Sequence, residues 1–336
     1  MARQTGQTVK FSFFDEAFSK FNWQKEPSET FEELMKTRAL QLRETYDYLR
    51  FFYSGGVDSH TALMTFLDNG IHLDEILVYR SSVYTDDFDL DPAEAEITGV
   101  AIPFLKTIQS IIPRTKITIL ETKPKQLTAY LSEKYFYEES SFAIRPWCER
   151  HLYELHPTLR APLDQGLYHC DIRGGDKPKL MFENGEVFMA MWDSSRVWDI
   201  GDIYLENFYL SPDMPALHAK QCHMVKNYLS LKKLSEEQLK DYFNVFNTLL
   251  TDELNAVCRQ PRFREINLGK GTTGVLSSKQ VLVEEKAKKF NPKVFDLWSS
   301  FLKNEGQINQ ERFNQESILH DFKGILSKRY LMGRME

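Results

Sequence analysis

The chemistry in this sequence is concentrated in Ser54-Gly55-Gly56-Val57-Asp58-Ser59. Six positions hold two hydroxyls, two adjacent glycines and one carboxylate. The run of large residues before it, 49–53, reads as a buried strand. The residues after it, Thr61-Ala62-Leu63-Met64-Thr65-Phe66-Leu67, read as an amphipathic helix that stops at Asn69-Gly70. A strand, a glycine turn and a helix N-terminus aim free backbone N–H groups and the positive end of the helix dipole at one point, which suits an anion. Gly55 and Gly56 let phosphate oxygens approach the backbone with no Cβ in the way. Ser54 and Ser59 add hydroxyl donors. Asp58 does not belong in a bare phosphate cradle, and its charge makes sense if Mg²⁺ bridges it to the phosphates. The pattern is not Walker A, which requires a lysine after the second glycine.

Ser-Gly-Gly-Val-Asp-Ser in this context resembles the PP-loop of the ATP pyrophosphatases, or adenine nucleotide alpha hydrolases. That superfamily includes asparagine synthetase, GMP synthetase, NAD synthetase and tRNA-thiolating enzymes. The resemblance implies that residues 54–59, Val57 included, hold the β,γ-pyrophosphate of ATP, that Asp58 carries Mg²⁺, and that the products are AMP and pyrophosphate. It also implies that the end of the second strand, Val78 and Arg80, reads the adenine edge through its backbone.

A second stretch repeats the logic of the first. Tyr168-His169-Cys170-Asp171-Ile172 reads as a strand ending in Arg173-Gly174-Gly175-Asp176-Lys177-Pro178-Lys179. On one reading Gly174 and Gly175 form the facing wall of the phosphate pocket, Asp176 completes the Mg²⁺ shell, and Lys177 neutralises the departing pyrophosphate. On the other the stretch is a turn leading into Leu180-Met181-Phe182, since Glu183-Asn184-Gly185-Glu186 is a hairpin turn.

The positioning elements follow from periodicity. Thr30-Phe31-Glu32-Glu33 fits a capping box opening a helix to about residue 47. Strands are expected at 75–79 and 116–120, with helices at 93–112 and 124–135. Alternating strands and helices imply an α/β fold, a doubly wound and mostly parallel sheet of Rossmann-like type. Residues 1–29 form an aromatic packing arm, 30–230 the nucleotide-binding domain, and 231–336 a helical C-terminal part. Lys220 and His223 share a helix face and either reach substrate or form a solvated surface. The Gly269-Lys270-Gly271-Thr272-Thr273-Gly274 stretch is either a lid or a plain loop.

The 336 residues are 42% hydrophobic and carry a net charge of −6, which argues against a broad nucleic-acid-binding surface. Cys148, Cys170, Cys222 and Cys258 contain no Cys-x-x-Cys, so neither a zinc knuckle nor a disulfide framework is expected. No apolar run approaches membrane-spanning length, and a cytoplasmic protein is expected. Within the resembled superfamily, absent cysteine patterns disfavour thiolation enzymes, zinc-bearing deazaguanine enzymes and sulfonucleotide reductases. What remains is an AMP-forming ligase that joins an adenylylated substrate to ammonia or an amine, nearest to the synthetase half of asparagine synthetase and similar in overall look to bacteriophage-coded chains. The alternatives are a reductase-like or nucleobase-modifying enzyme, and a non-catalytic binding or structural protein. ATP and Mg²⁺ are the implied ligands; the acceptor and oligomeric state are not indicated.

Overall fold

A computed structural model describes residues 14–81, 87, 88, 94, 96–123, 152–174, 180–190, 204–242 and 327–335. The strands are β1 (Tyr48–Phe52), β2 (Glu75–Ser81), β3 (Lys116–Thr122), β4 (His169–Arg173), β5 (Leu180–Glu183), β6 (Glu186–Met189), β7 (Tyr204–Asn207) and β8 (Tyr330–Arg334). The principal helices are α1 (Phe31–Thr45), α2 (Val57–Asp68), α3 (Ile102–Ile108), α4 (Pro215–Leu231) and α5 (Glu236–Tyr242). A π-helical turn, Ile97–Ala101, leads directly into α3.

β1, β2, β3, β4 and β7 form a parallel sheet in the order β3-β2-β1-β4-β7. The chain builds outward from β1 through β2 to β3, then returns to the other side of β1 for β4. β1 and β4 therefore flank the switch point, where ligands bind at the carboxyl ends of strands in open α/β sheets. The α/β, doubly wound expectation holds. Strand β7 was not anticipated: Tyr-Leu-Glu-Asn has no period-2 alternation, and its place beside β4 comes from pairing.

The two faces of the sheet differ in chemistry. Leu49, Phe51 and Tyr53 point into an apolar core with Phe31, Leu42, Leu63, Phe66, Val78 and Ile172. α1 supplies its Phe31, Leu34, Met35 and Leu42 stripe, and Thr30 and Glu33 form the expected capping box. Arg50, which a purely apolar reading of 49–53 passes over, faces the other way and is 1% exposed. It stands directly between Glu75 and Asp171 in register, and Glu75 in turn lies opposite Lys116. The row alternates in sign. Arg50 Nε bonds Glu75 at 2.7 Å, Nη1 reaches Asp171 at 3.3 Å, and Lys116 Nζ lies 3.2 Å from Glu75. Arg50 also donates from Nη1 to the Tyr153 hydroxyl at 3.0 Å and from Nη2 to the Leu159 carbonyl at 2.8 Å. Buried charge is tolerated because every partner is charged or hydrogen-bonding.

A second sheet, β5-β6-β8, is antiparallel. β5 and β6 form the expected hairpin, with Asn184 and Gly185 both at positive φ in the turn. Here one expectation is corrected. The C-terminal region was read as helical, yet Tyr330–Arg334 is a strand that pairs antiparallel with β6. Its side chains Tyr330 and Met332 close a second apolar cluster with Phe18, Trp23, Val187, Met189, Cys222 and Leu229. Helix α5 agrees with the helical expectation; the 269–274 stretch lies outside the described residues. Lys220 and His223 are corrected as well. Lys220 pairs with Glu26 at 2.7 Å, and His223, 4% exposed, bonds the Trp23 carbonyl at 2.9 Å. Both fasten the N-terminal arm to α4. Among the described residues no helix is long and apolar enough to cross a membrane.

Candidate functional site

The chain leaves β1 after Phe52, turns through residues 53–56 and enters α2 at Val57. Gly56 is the N-cap and its conformation is extended. Gly55 has φ +82°, a conformation that side chains disfavour, so the turn depends on glycine there. The hydroxyls organise the turn from within. Ser59 Oγ donates to the Gly56 carbonyl at 3.1 Å and accepts from the Ser54 N–H at 3.3 Å. Ser54 Oγ stands 3.0 Å from Ser59 Oγ and accepts from the Gly56 N–H at 3.3 Å. Asp58 lies in the first turn of α2, and the Tyr209 hydroxyl donates to its carbonyl at 3.0 Å.

Three further segments converge on this turn. The first is the end of β4. A Cβ placed on Gly174 would lie 3.0 Å from Ser59 N, 3.2 Å from Ser59 Cα and 3.3 Å from Asp58 C. Gly174 therefore packs backbone to backbone against the turn, at the switch-point crevice. The second is the π-turn. A Cβ on Gly55 would meet Ala101 N at 2.9 Å and the Glu96 carbonyl at 3.0 Å. The third is the Glu96 side chain, whose Oε1 and Oε2 lie 3.3 and 3.4 Å from the Cβ position of Gly56, with Ser54 Oγ also at 3.4 Å.

Residues Ser54, Gly55, Gly56, Val57, Asp58, Ser59 and Gly174 are thus brought together. Val78 and Arg80 stand on β2 past the last β1–β2 register pair, Phe52↔Leu77, where β1 turns away and β2 continues on β3. Val78 is buried in the core. The Arg80 guanidinium is engaged by Glu121 at 3.2 Å and Thr98 at 3.1 Å, and lies 4.9 Å from the centre of the Phe88 ring. Gly175, Asp176 and Lys177 lie outside the described residues.

Glu96 and Tyr209 escaped the sequence reading. Neither sits in a recognisable motif; they return to the turn only through the packing of the π-turn and of the segment after β7. Electrostatics around the turn follow from burial. Burial raises the Tyr53 phenol, and the Glu96 charge raises it further, so it stays protonated and pairs with His60 Nδ1 at 2.9 Å. Farther along the carboxyl edge, burial lowers the His156 imidazole, which lies 2.9 Å from the Thr122 hydroxyl.

The oxygen-rich donor set suits a hard divalent cation. Among the described residues no group of three or more His, Cys, Asp or Glu side chains is placed to hold a metal ion. No protein-family model and no curated protein matches the chain. Among solved structures it aligns with NMN synthetase from Francisella tularensis at 10% identity and a TM-score of 0.35, over 78% of this chain and 94% of that one. A likeness that distant carries no argument, and the functional reading rests on the turn itself.

Proposed function

We propose that the chain is an ATP-using, AMP- and pyrophosphate-forming ligase of PP-loop type. The observation that carries the reading is the contact of Gly174 with the 54–59 turn. Gly174, at the end of β4, lies against Asp58 and Ser59 at the start of α2, at the crevice where parallel sheets bind ligands. That crevice is edged by the head of α2, whose first-turn N–H groups and neighbouring serine hydroxyls are the kind of lining that holds pyrophosphate.

In this reading the Gly55 N–H, the N–H groups of Val57, Asp58 and Ser59 at the head of α2 and the Ser54 hydroxyl hold the β- and γ-phosphates, while the Ser59 hydroxyl keeps the turn in shape through the Gly56 carbonyl and the Ser54 N–H. Asp58 holds Mg²⁺, with Asp176 as its partner, and Mg²⁺ supplies charge neutralisation of the leaving pyrophosphate. The backbone of Val78 and Arg80 receives the adenine edge. An acceptor oxygen forms a bond to the α-phosphorus as the bond from that phosphorus to the bridging oxygen breaks, and the electron pair leaves with pyrophosphate. Lys177, three residues beyond Gly174, is assigned to the charge that accumulates there. Ammonia or an amine then displaces AMP from the adenylylated acceptor. Positioning and charge neutralisation are the protein's main contributions.

The test is turnover of ATP labelled at the α- and γ-phosphates, in the presence of a panel of carboxylate, amide and nucleobase acceptors. The reading expects label in AMP and pyrophosphate. ADP and phosphate as the sole products overturn it.

A further inference from the structure

The contact between Glu96 and the 54–59 turn has a consequence for what the turn binds. An anion cradle made of N–H groups and a helix N-terminus accepts phosphate, sulfate or carboxylate without discrimination. Here a carboxylate stands beside it. Both Glu96 oxygens lie within 3.4 Å of the point where a Gly56 Cβ would be, and Ser54 Oγ shares that point at 3.4 Å. The backbone bearing Glu96 is fixed. Its carbonyl packs on Gly55, and the π-turn that follows is closed by the Ile102 N–H donating to the Ile97 carbonyl. Ile97 and Ala101 are buried in the core, and Thr98 is held by Arg80. π-turns next to helices recur at functional sites. The Glu96 charge is felt in the turn, since it adds to burial in raising the Tyr53 phenol.

We propose that Glu96 is a specificity-determining residue that couples nucleotide binding at this turn to a divalent cation. Its carboxylate repels a bare polyphosphate and, together with Asp58 in the first turn of α2, favours one that arrives neutralised by the metal. The inference rests on the nucleotide reading above. Like charges a few ångströms apart near a protein surface shift a binding equilibrium by about tenfold or more.

The test is calorimetric binding of ATP, and separately of inorganic tripolyphosphate, with Mg²⁺ present or with Mg²⁺ removed by EDTA. The proteins are the full chain, Glu96→Gln and Glu96→Ala. The wild-type chain should bind the Mg²⁺ complex of each ligand at least about tenfold more tightly than the bare anion. Glu96→Gln and Glu96→Ala should narrow that ratio by about tenfold, through tighter binding of the bare anion. An unchanged ratio in a folded variant overturns the role of Glu96 and leaves the nucleotide reading standing. Equal wild-type binding with and without Mg²⁺ overturns it with no variant needed. No wild-type binding of ATP under either condition overturns both readings together.

Discussion

Alanine substitutions at Gly55, Gly174 and Gly70 separate two costs that the turn combines. Gly70 follows α2 at φ +64° with nothing within 4 Å of a new Cβ, so Gly70→Ala bears only the left-handed backbone term, about 1–2 kcal/mol. Gly174 is outside the left-handed region, but its Cβ would stand 3.0 Å from Ser59 N, a backbone atom at the head of a packed helix. Gly174→Ala therefore bears the overpacking term, about 1–3 kcal/mol. Gly55 bears both, with φ +82° and a Cβ 2.9 Å from Ala101 N, so Gly55→Ala should cost about 2–5 kcal/mol. That is a large share of the ~5–15 kcal/mol that holds a domain folded. Urea denaturation followed by tryptophan fluorescence reads all three. The order of loss should be Gly55 above either of the others. If Gly55→Ala is no worse than Gly70→Ala, the turn is not pressed against the π-turn, and the geometry that places Glu96 there is wrong. Gly174→Ala has a second readout: it should weaken ATP binding, whereas Gly70→Ala should not.

Other outcomes follow from the same structure. Arg50→Met strands Glu75 and Asp171 in the sheet and should destabilise by about 3–5 kcal/mol, measured by denaturation. Burial alone would raise the Glu75 carboxyl, but the Arg50 charge, hydrogen bonds from Thr118 and Arg50, and Lys116 outweigh it and hold it at about 2. A depressed carboxylate stabilises the fold above its ordinary value of 4.5, and that contribution, about 3 kcal/mol, is lost as pH falls toward 2. Stability measured between pH 5 and pH 2 should drop accordingly, and Glu75→Gln should flatten the drop. Asp58→Ala should abolish Mg²⁺-dependent turnover while circular dichroism stays unchanged; normal metal-dependent activity would remove Asp58 from its assigned role. Lys177→Ala should lower turnover by about 10²–10³ with a much smaller change in ATP affinity, read from kcat and from binding separately.

The parallel sheet was legible because β1, β2 and β3 are short runs rich in Ile, Leu, Val and Phe, with helical periods between most of them. The 54–59 turn was legible because its requirements are local: glycine where φ is positive, hydroxyls that bond back into the turn, a helix that starts at once. Gly174 was reached by topology, since parallel neighbours present their following loops at one edge, and its backbone lies in contact with Ser59. Other features depend on partners far away in sequence. Arg50 hides in an apolar run because its two carboxylates sit 25 and 121 residues later. Glu96 looks like any helix glutamate until the π-turn brings it to Gly56. β7 and β8 are strands through pairing with β4 and β6, and their own sequences offer little to distinguish them. His223 carries a polar label, yet its burial is decided by the Trp23 carbonyl two hundred residues upstream.

The central claim is that the 54–59 turn and Gly174 form two walls of one pyrophosphate pocket. A crystal structure of the chain with Mg²⁺ and an ATP analogue that cannot be cleaved between the α- and β-phosphates tests it most directly. The account predicts β- and γ-phosphate oxygens within hydrogen-bond distance of backbone N–H groups at the head of α2, beside the contact of Ser59 with Gly174, with the metal on Asp58. Nucleotide bound elsewhere on the chain, or phosphates pointing away from this turn, would contradict it.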